Sequence, residues 1–192
     1  MNELNIRLPE RYQEIKVEST SLGFDMLSDV QTGSLLRTLV SSKPNGFFLE
    51  LGTGTGLSLS WLVDGMDKSS KLISIDNSAD FQSVAARHFG KDDRVKLICE
   101  DANQWIKENQ DQYFDLIFAD AWPGKYESLQ ETLNLMKTGG FYIIDDMLPQ
   151  PNWPMAHEQN VEKLIAHLET LDFINLTKMN WSTGLVIITK IK

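Results

Sequence analysis

The chain has 192 residues, of which 42% are hydrophobic and 23% charged, and 27 acidic against 18 basic side chains give a net charge of −9. This is the composition of one globular domain that buries a core without disulfides or structural metal; the acidic balance, with Lys and Arg scattered, argues against a nucleic-acid surface. One cysteine, Cys99, leaves no internal disulfide, and no apolar run has the length of a secretory signal or a membrane span, so the expectation is a cytoplasmic protein without membrane contact.

Residues 21–42 carry helical periodicity through Leu22, Met26, Val30, Leu35, Leu36, Leu39 and Val40, ended by Pro44 and Gly46. Residues 1–45 are therefore expected to form an N-terminal helical segment ahead of a core over 46–192. FFLEL (47–51) reads as the first strand, followed by GTGTG and a helical pattern through Leu57, Trp61 and Leu62. The alternation continues with KLISI (71–75), a helix over 79–89, VKLIC (95–99), a helix over 102–109, FDLIFA (114–119), a helix over 126–137 and GFYIID (140–145). Cys99 ends one of these apolar runs and reads as a buried strand residue. After a helix near 157–170, FINLTKM (173–179) and GLVIITKI (184–191) are joined by NWSTG with no helix between them, which predicts an antiparallel hairpin. The fold class is α/β: a Rossmann-like, seven-stranded, mostly parallel sheet in a single domain, with helices on both faces and a C-terminal antiparallel hairpin.

The densest chemistry is LELGTGTGLS (49–58), where Gly52, Gly54 and Gly56 turn the chain from strand to helix and let a ligand approach free backbone N–H groups. The dinucleotide fingerprint G-x-G-x-x-G needs a glycine at position 57, where this chain has Leu57, so the pyrophosphate reading fails and E-x-G-x-G-x-G remains. Asp76, at the end of the second strand, is placed to accept hydrogen bonds from ribose hydroxyls; its structural alternative is a helix cap, a role for which Asn77 and Ser78 compete. Asp101 suits either the adenine end of a nucleotide or a helix start.

The segments FDMLSDVQTGSLLRTLV, LELGTGTGLSLSWL, ISIDNS, CEDANQWI, FDLIFADAWPGKY and GGFYIIDD, in this order, resemble the catechol and caffeoyl-CoA type O-methyltransferases, a branch of the class I S-adenosylmethionine-dependent enzymes. The resemblance implies that Met26, Glu50, Gly52, Thr53, Gly54, Gly56 and Ser58 contact or line the methionine end of the cofactor. Asp76 and Asn77 would hold its ribose, Asp101 and Ala102 border its adenine, and Asp120 and Trp122 lie near its sulfonium. Met26 would reach in from the preceding helix, or simply fill a core position there. In that family a divalent ion, Mg²⁺ or Ca²⁺, is held by an Asp after the fourth strand and an Asp-Asn pair after the fifth; the matching residues are Asp120, Asp145 and Asp146.

Two departures stand out. Asp146 replaces the family's Asn, and Pro123 occupies the place of a lysine that is a candidate base; the nearest lysine, Lys125, either reaches the catalytic site beside Asp120 or is a solvated helix-start residue. The segment 145–160 is expected to cover the site, with Pro149 and Trp153 as apolar walls; His157 reads more readily as a first-turn helix residue than as an acid or base. The implied activity is O-methylation of a small catechol- or phenol-like acceptor. The alternatives are a nitrogen or macromolecular acceptor, or a non-catalytic nucleotide-binding module. The amphipathic N-terminal segment is compatible with a homodimer.

Overall fold

The computed structural model describes residues 5–150, 153 and 157–192. Strands β1 (Phe47–Leu51), β2 (Lys71–Asp76), β3 (Val95–Cys99), β4 (Phe114–Ala119) and β5 (Met136–Ile144) run parallel, while β6 (Ile174–Met179) and β7 (Leu185–Lys190) form the antiparallel hairpin. The sheet order is β3-β2-β1-β4-β5-β7-β6, with β7 inserted antiparallel beside β5.

Period-two alternation explains why these runs are apolar almost throughout: both faces are covered. Leu49, Leu51, Ile73, Ile75, Ile117, Ala119, Tyr142 and Ile144 point to one face, against α5 (Ala102–Glu108), α6 (Leu129–Asn134) and α7 (His157–Leu168). Phe48, Leu72, Leu116, Phe118 and Ile143 point to the other, against α1 (Tyr12–Ser21), α2 (Val30–Ser41), α3 (Leu57–Gly65) and α4 (Ala79–Phe89). The chain leaves β1 toward β2 and β3, then crosses to β4 on the other side of β1. The carboxyl ends of β1 and β4 therefore meet at the switch point where ligands of α/β sheets bind.

Three expectations need correction. The helix expected over 21–42 shortens to α2, which begins only after Asp29, whose carboxylate accepts from the Gln31 and Thr32 N–H groups at 2.6 and 3.0 Å; a separate helix, α1, precedes it and ends before Gly23, at φ +71°. Leu22 and Met26 consequently lie between helices. Cys99 is exposed, because β3 is the edge strand and Cys99 its last residue. The helix expected over 126–137 shrinks to α6, and β5 starts at Met136, pairing with Phe114 before a register shift. No described helix is long and apolar enough to cross a membrane.

Ile143, fully buried on β5 beneath the α1–α4 layer, tests this packing. Ile143→Ala should lower the urea unfolding free energy by roughly 2–5 kcal/mol, whereas Ile191→Ala, at an exposed position, should change it by less than about 0.5 kcal/mol.

Candidate active site

The glycine loop after β1 is pinned from three sides. Gly52 and Thr53 donate their N–H groups to the Ile75 carbonyl at 2.9 and 3.1 Å, and Gly54 donates to Asp76 Oδ2 at 2.7 Å. Gly52 has φ +101°, and a Cβ there would stand 2.8 Å from the Asp120 carbonyl oxygen, so only glycine lets the two loops pass this closely. Asp76 takes a second N–H, from Ser78 at 2.8 Å, and leaves the capping of α4 to Ser78.

Behind the loop, Glu50 is fully buried on the face covered by α3. Its carboxylate accepts from the Ser58 hydroxyl at 2.6 Å and from the hydroxyl of Ser74, its register partner on β2. Ser74 also pairs with the Thr53 hydroxyl at 2.6 Å, and Gln82 Nε2 donates to Thr53 Oγ1 at 3.1 Å. Burial outweighs the two hydroxyls and pushes the Glu50 carboxyl up to about 7. Neither Glu50 nor Gly56 is on the cavity wall. The expectation that they line it is corrected: Glu50 braces the loop from inside, and Gly56 caps α3 against Ala85.

The second loop follows β4. Asp120 donates its N–H to the Leu51 carbonyl at 2.9 Å, and the chain then tightens so that the Trp122 carbonyl accepts from the N–H groups of Lys125 and Tyr126 at 3.1 and 3.0 Å. Gly124, at φ +83°, leaves no room for a Cβ: Leu51 Cδ1 would be 2.6 Å away and Tyr142 Oη 2.8 Å. The Tyr142 hydroxyl donates to the Gly124 carbonyl and seals the turn. This compact turn aims Lys125 inward. It is 4% exposed, with Nζ 3.6 Å from Asp120 Oδ1, which removes the solvated helix-start reading.

Asp120 also accepts from Ser28 Oγ at 3.3 Å. Burial raises its carboxyl well above the usual carboxylate range, opposed by the Lys125 charge and reinforced by Asp145 and Asp146. Asp145 is pushed up to about 6 by burial and by the neighbouring Asp146, while the Lys125 charge and the Thr183 hydroxyl pull the other way. The hydroxyl of Thr183 and the N–H of Asp146, the latter at 2.7 Å, both donate to Asp145 Oδ1. Among the described residues, no three His, Cys, Asp or Glu side chains gather closely enough to hold a metal ion. The expected Asp120, Asp145 and Asp146 set therefore does not fit one: an ammonium faces the first carboxylate, and N–H and O–H donors occupy one oxygen of the second.

A cavity of about 700 Å³ joins the two loops. Gly52, Thr53, Gly54, Ser58, Asp76 and Asn77 line one end, and Asp120, Lys125, Tyr126, Asp145, Asp146 and His157 the other. A smaller cavity of about 310 Å³ continues past Asp76 and Asn77 to Asp101 and Ala102. Asp101 also caps α5, accepting from the Asn103 N–H at 2.7 Å, so both of its readings hold geometrically. Trp122 borders both cavities and is 47% exposed. Met26 lies on the rim, 61% exposed, neither helical nor in the core.

His157 opens α7 as expected, but it has a partner: Nε2 lies 3.0 Å from Tyr126 Oη. Its ring packs against Trp153 at 4.4 Å and Trp122 at 5.9 Å. Burial and the Lys125 charge lower its pKa, so it is neutral at pH 7, while burial and the Asp146 charge push Tyr126 up to about 12. Of the expected cover, Trp153 borders this cavity, Pro149 is not on its wall, and residues 151, 152 and 154–156 lie outside the described residues. Sequence reasoning missed Tyr126, Ser28 and Thr183. Tyr126 directly follows Lys125 in the loop motif, whereas Thr183 arrives from the hairpin turn without any local signal.

A parallel sheet that switches direction beside a glycine loop, closed by an antiparallel hairpin, defines a nucleotide-type α/β domain. Residues 49–147, about half of the chain, match the family model described as "Methyltransferase domain", and the chain belongs to that family. A protein of Mycolicibacterium paratuberculosis described as "Putative O-methyltransferase" is 30% identical over 117 residues, covering 58% of this chain and 53% of the relative. The chain thus spans about half the length of the curated relatives it matches. The O-methyltransferase TomG from Streptomyces achromogenes, solved in complex with S-adenosylmethionine, superposes with a TM-score of 0.85 at 21% identity, covering 98% of this chain and 93% of that one. The S-adenosylhomocysteine-bound methyltransferase PaMTH1 of Podospora anserina gives 0.84 at 22% identity, covering 99% and 92%. These two likenesses establish the fold.

Two outcomes test the geometry. A Glu50 carboxyl raised from 4.5 to about 7 in the fold is protonated when folded and ionised when unfolded between those values. Its contribution is fully present below pH 4.5 and lost as the pH rises through 7, a change of about 3 kcal/mol. Urea unfolding at pH 5 and pH 8 should therefore show Glu50→Gln gaining on the parent protein at the higher pH; parallel behaviour at both would contradict the assignment. Gly124→Ala should cost roughly 1–3 kcal/mol in the same assay, through its positive φ and the contacts with Leu51 and Tyr142.

Proposed function

We propose that the protein transfers a methyl group from S-adenosylmethionine to a hydroxyl oxygen of a small phenol- or catechol-like molecule. The observation that carries this reading is the single cavity running from the glycine loop and Asp76 to the chamber around Asp120, Lys125, Tyr126 and His157. The methyltransferase domain family and the ligands bound in the two structural relatives support it.

At the donor end, each Asp76 oxygen already accepts one backbone N–H and keeps a further lone pair for a ribose hydroxyl. Asn77, Asp101 and Ala102 border the smaller cavity, which suits the adenine. Gly52, Thr53, Gly54 and Ser58, at the start of α3, face the methionine portion, whose carboxylate matches the positive end of the helix. Trp122 and Met26 sit at the mouth, where they can shield the sulfonium from water.

At the acceptor end, Trp122, Tyr126, Trp153 and His157 form an aromatic wall suited to a flat ring. A neutral imidazole and a protonated phenol there offer the acceptor both hydrogen-bonding senses. In the reaction the acceptor oxygen loses its proton to solvent, its electron pair forms the O–CH₃ bond, and the S–CH₃ pair stays on sulfur as S-adenosylhomocysteine. The chain's contribution is chiefly alignment of the two reactants within one enclosed cavity. A cytoplasmic site of action accords with the single free cysteine.

Calorimetric titration with S-adenosylhomocysteine should give one saturable site, and Asp76→Ala should weaken it about tenfold or more. Unchanged affinity in the variant would remove Asp76 from the site, and no binding by the parent protein would overturn the methyl-donor reading.

A further inference from the structure

We propose that Lys125 is this chain's substitute for a divalent cation: its ammonium neutralises the carboxylate group of Asp120, Asp145 and Asp146 and faces the acceptor oxygen, so that methyl transfer requires no metal. The inference rests on the methyl-transfer reading, and three observations carry it.

Lys125 is buried and lines the cavity at its acceptor end, 3.6 Å from Asp120 Oδ1. Burying a cation is costly unless opposite charge surrounds it, and this one is surrounded. Among the described residues, the only ion pair made by Asp120, Asp145 or Asp146 is the one with Lys125, and its charge also bears on Asp145 and on the His157 ring.

The turn that delivers the lysine is tightly held. Gly124 is wedged between Leu51 and Tyr142, the Tyr142 hydroxyl holds the Gly124 carbonyl, and the two N–H bonds to the Trp122 carbonyl fix the direction of Lys125. The ammonium therefore arrives preorganised at the carboxylates.

Part of the carboxylate set is already committed. Asp145 Oδ1 is taken by the Thr183 hydroxyl and the Asp146 N–H, and Asp120 Oδ2 by Ser28, so an ion using those oxygens would have to displace three hydrogen bonds as well as the lysine. An ammonium is a compact charge that, already facing Asp120, has one side left for the acceptor, whereas a metal ion can chelate two acceptor oxygens. The acceptor consequently needs a single ionisable hydroxyl and no neighbouring one.

The test is Mn²⁺ binding, followed by the electron paramagnetic resonance of the free ion, on metal-stripped full-length protein saturated with S-adenosylhomocysteine. The parent protein should show no saturable site below about 1 mM, and Lys125→Asn, which leaves three uncompensated carboxylates, should bind Mn²⁺ about tenfold more tightly or better. One tight Mn²⁺ site in the parent protein would overturn the proposal without reference to any variant. Equal, weak binding by both proteins, with Lys125→Asn still folded by circular dichroism, would overturn it as well. S-adenosylhomocysteine binding is measured separately by calorimetry, so a failure of the donor reading shows there and not in the Mn²⁺ signal.

Discussion

The contact on which the site depends is the close passage of the chain leaving β1 past the chain leaving β4. The Asp120 N–H bonds to the Leu51 carbonyl, and one residue later Gly52 slides past the Asp120 carbonyl where any Cβ would collide. This places the glycine loop and the Asp120–Lys125 loop side by side at the switch point of the sheet. With a larger residue at position 52 the two strand ends would have to splay, and the cavity would divide into a nucleotide half and an acceptor half. Proximity of donor and acceptor is what methyl transfer requires most, so the backbone approach at Gly52 is the structural root of the proposed chemistry.

Buried charge is managed in two different ways on either side of that contact. Among the described residues Glu50 makes no ion pair; it is held by the Ser58 and Ser74 hydroxyls and by an upward shift toward neutrality. A group so treated serves as a brace, because it can remain uncharged beneath the loop. Asp120 and Asp145, by contrast, share a chamber with an ammonium, a hydroxyl and a backbone N–H. They are arranged to keep polarity facing a ligand, and the aromatic side chains of Trp122, Tyr126 and Trp153 supply the apolar remainder of that chamber.

Local chemistry made much of the fold legible. The strands over FFLEL, VKLIC and FDLIFA match the structure to the residue; FFLEL and FDLIFA are central parallel strands, apolar on both faces, while VKLIC, at the edge, is a short apolar run bounded by charged residues. The terminal hairpin follows from the absence of a helix across NWSTG. The start of α2 was equally written in the capping residue Asp29, but the apolar period through Leu22 and Met26 obscured it. Cys99 was misplaced for a different reason: strand order decides which run lies at the edge, and no local pattern encodes order. At the site, the glycine loop, Asp76, Asp120 and Lys125 could be found by motif. The inward aim of Lys125 could not, since it needs Tyr142 and Leu51 from other strands to lock Gly124. Nor could the Tyr126 partner of His157, 31 residues away in sequence, or the Thr183 hydroxyl on Asp145, 38 residues away.

The central claim is that one continuous cavity holds the methyl donor with its reactive end toward Asp120 and Lys125. The most direct measurement is a crystal structure of the protein with S-adenosylhomocysteine bound. The account predicts ribose hydroxyls on Asp76, adenine in the pocket bordered by Asp101 and Ala102, and the sulfur facing the Asp120–Lys125 pair. A ligand seated away from the glycine loop, or one whose sulfur turns from Asp120 toward solvent, would contradict it.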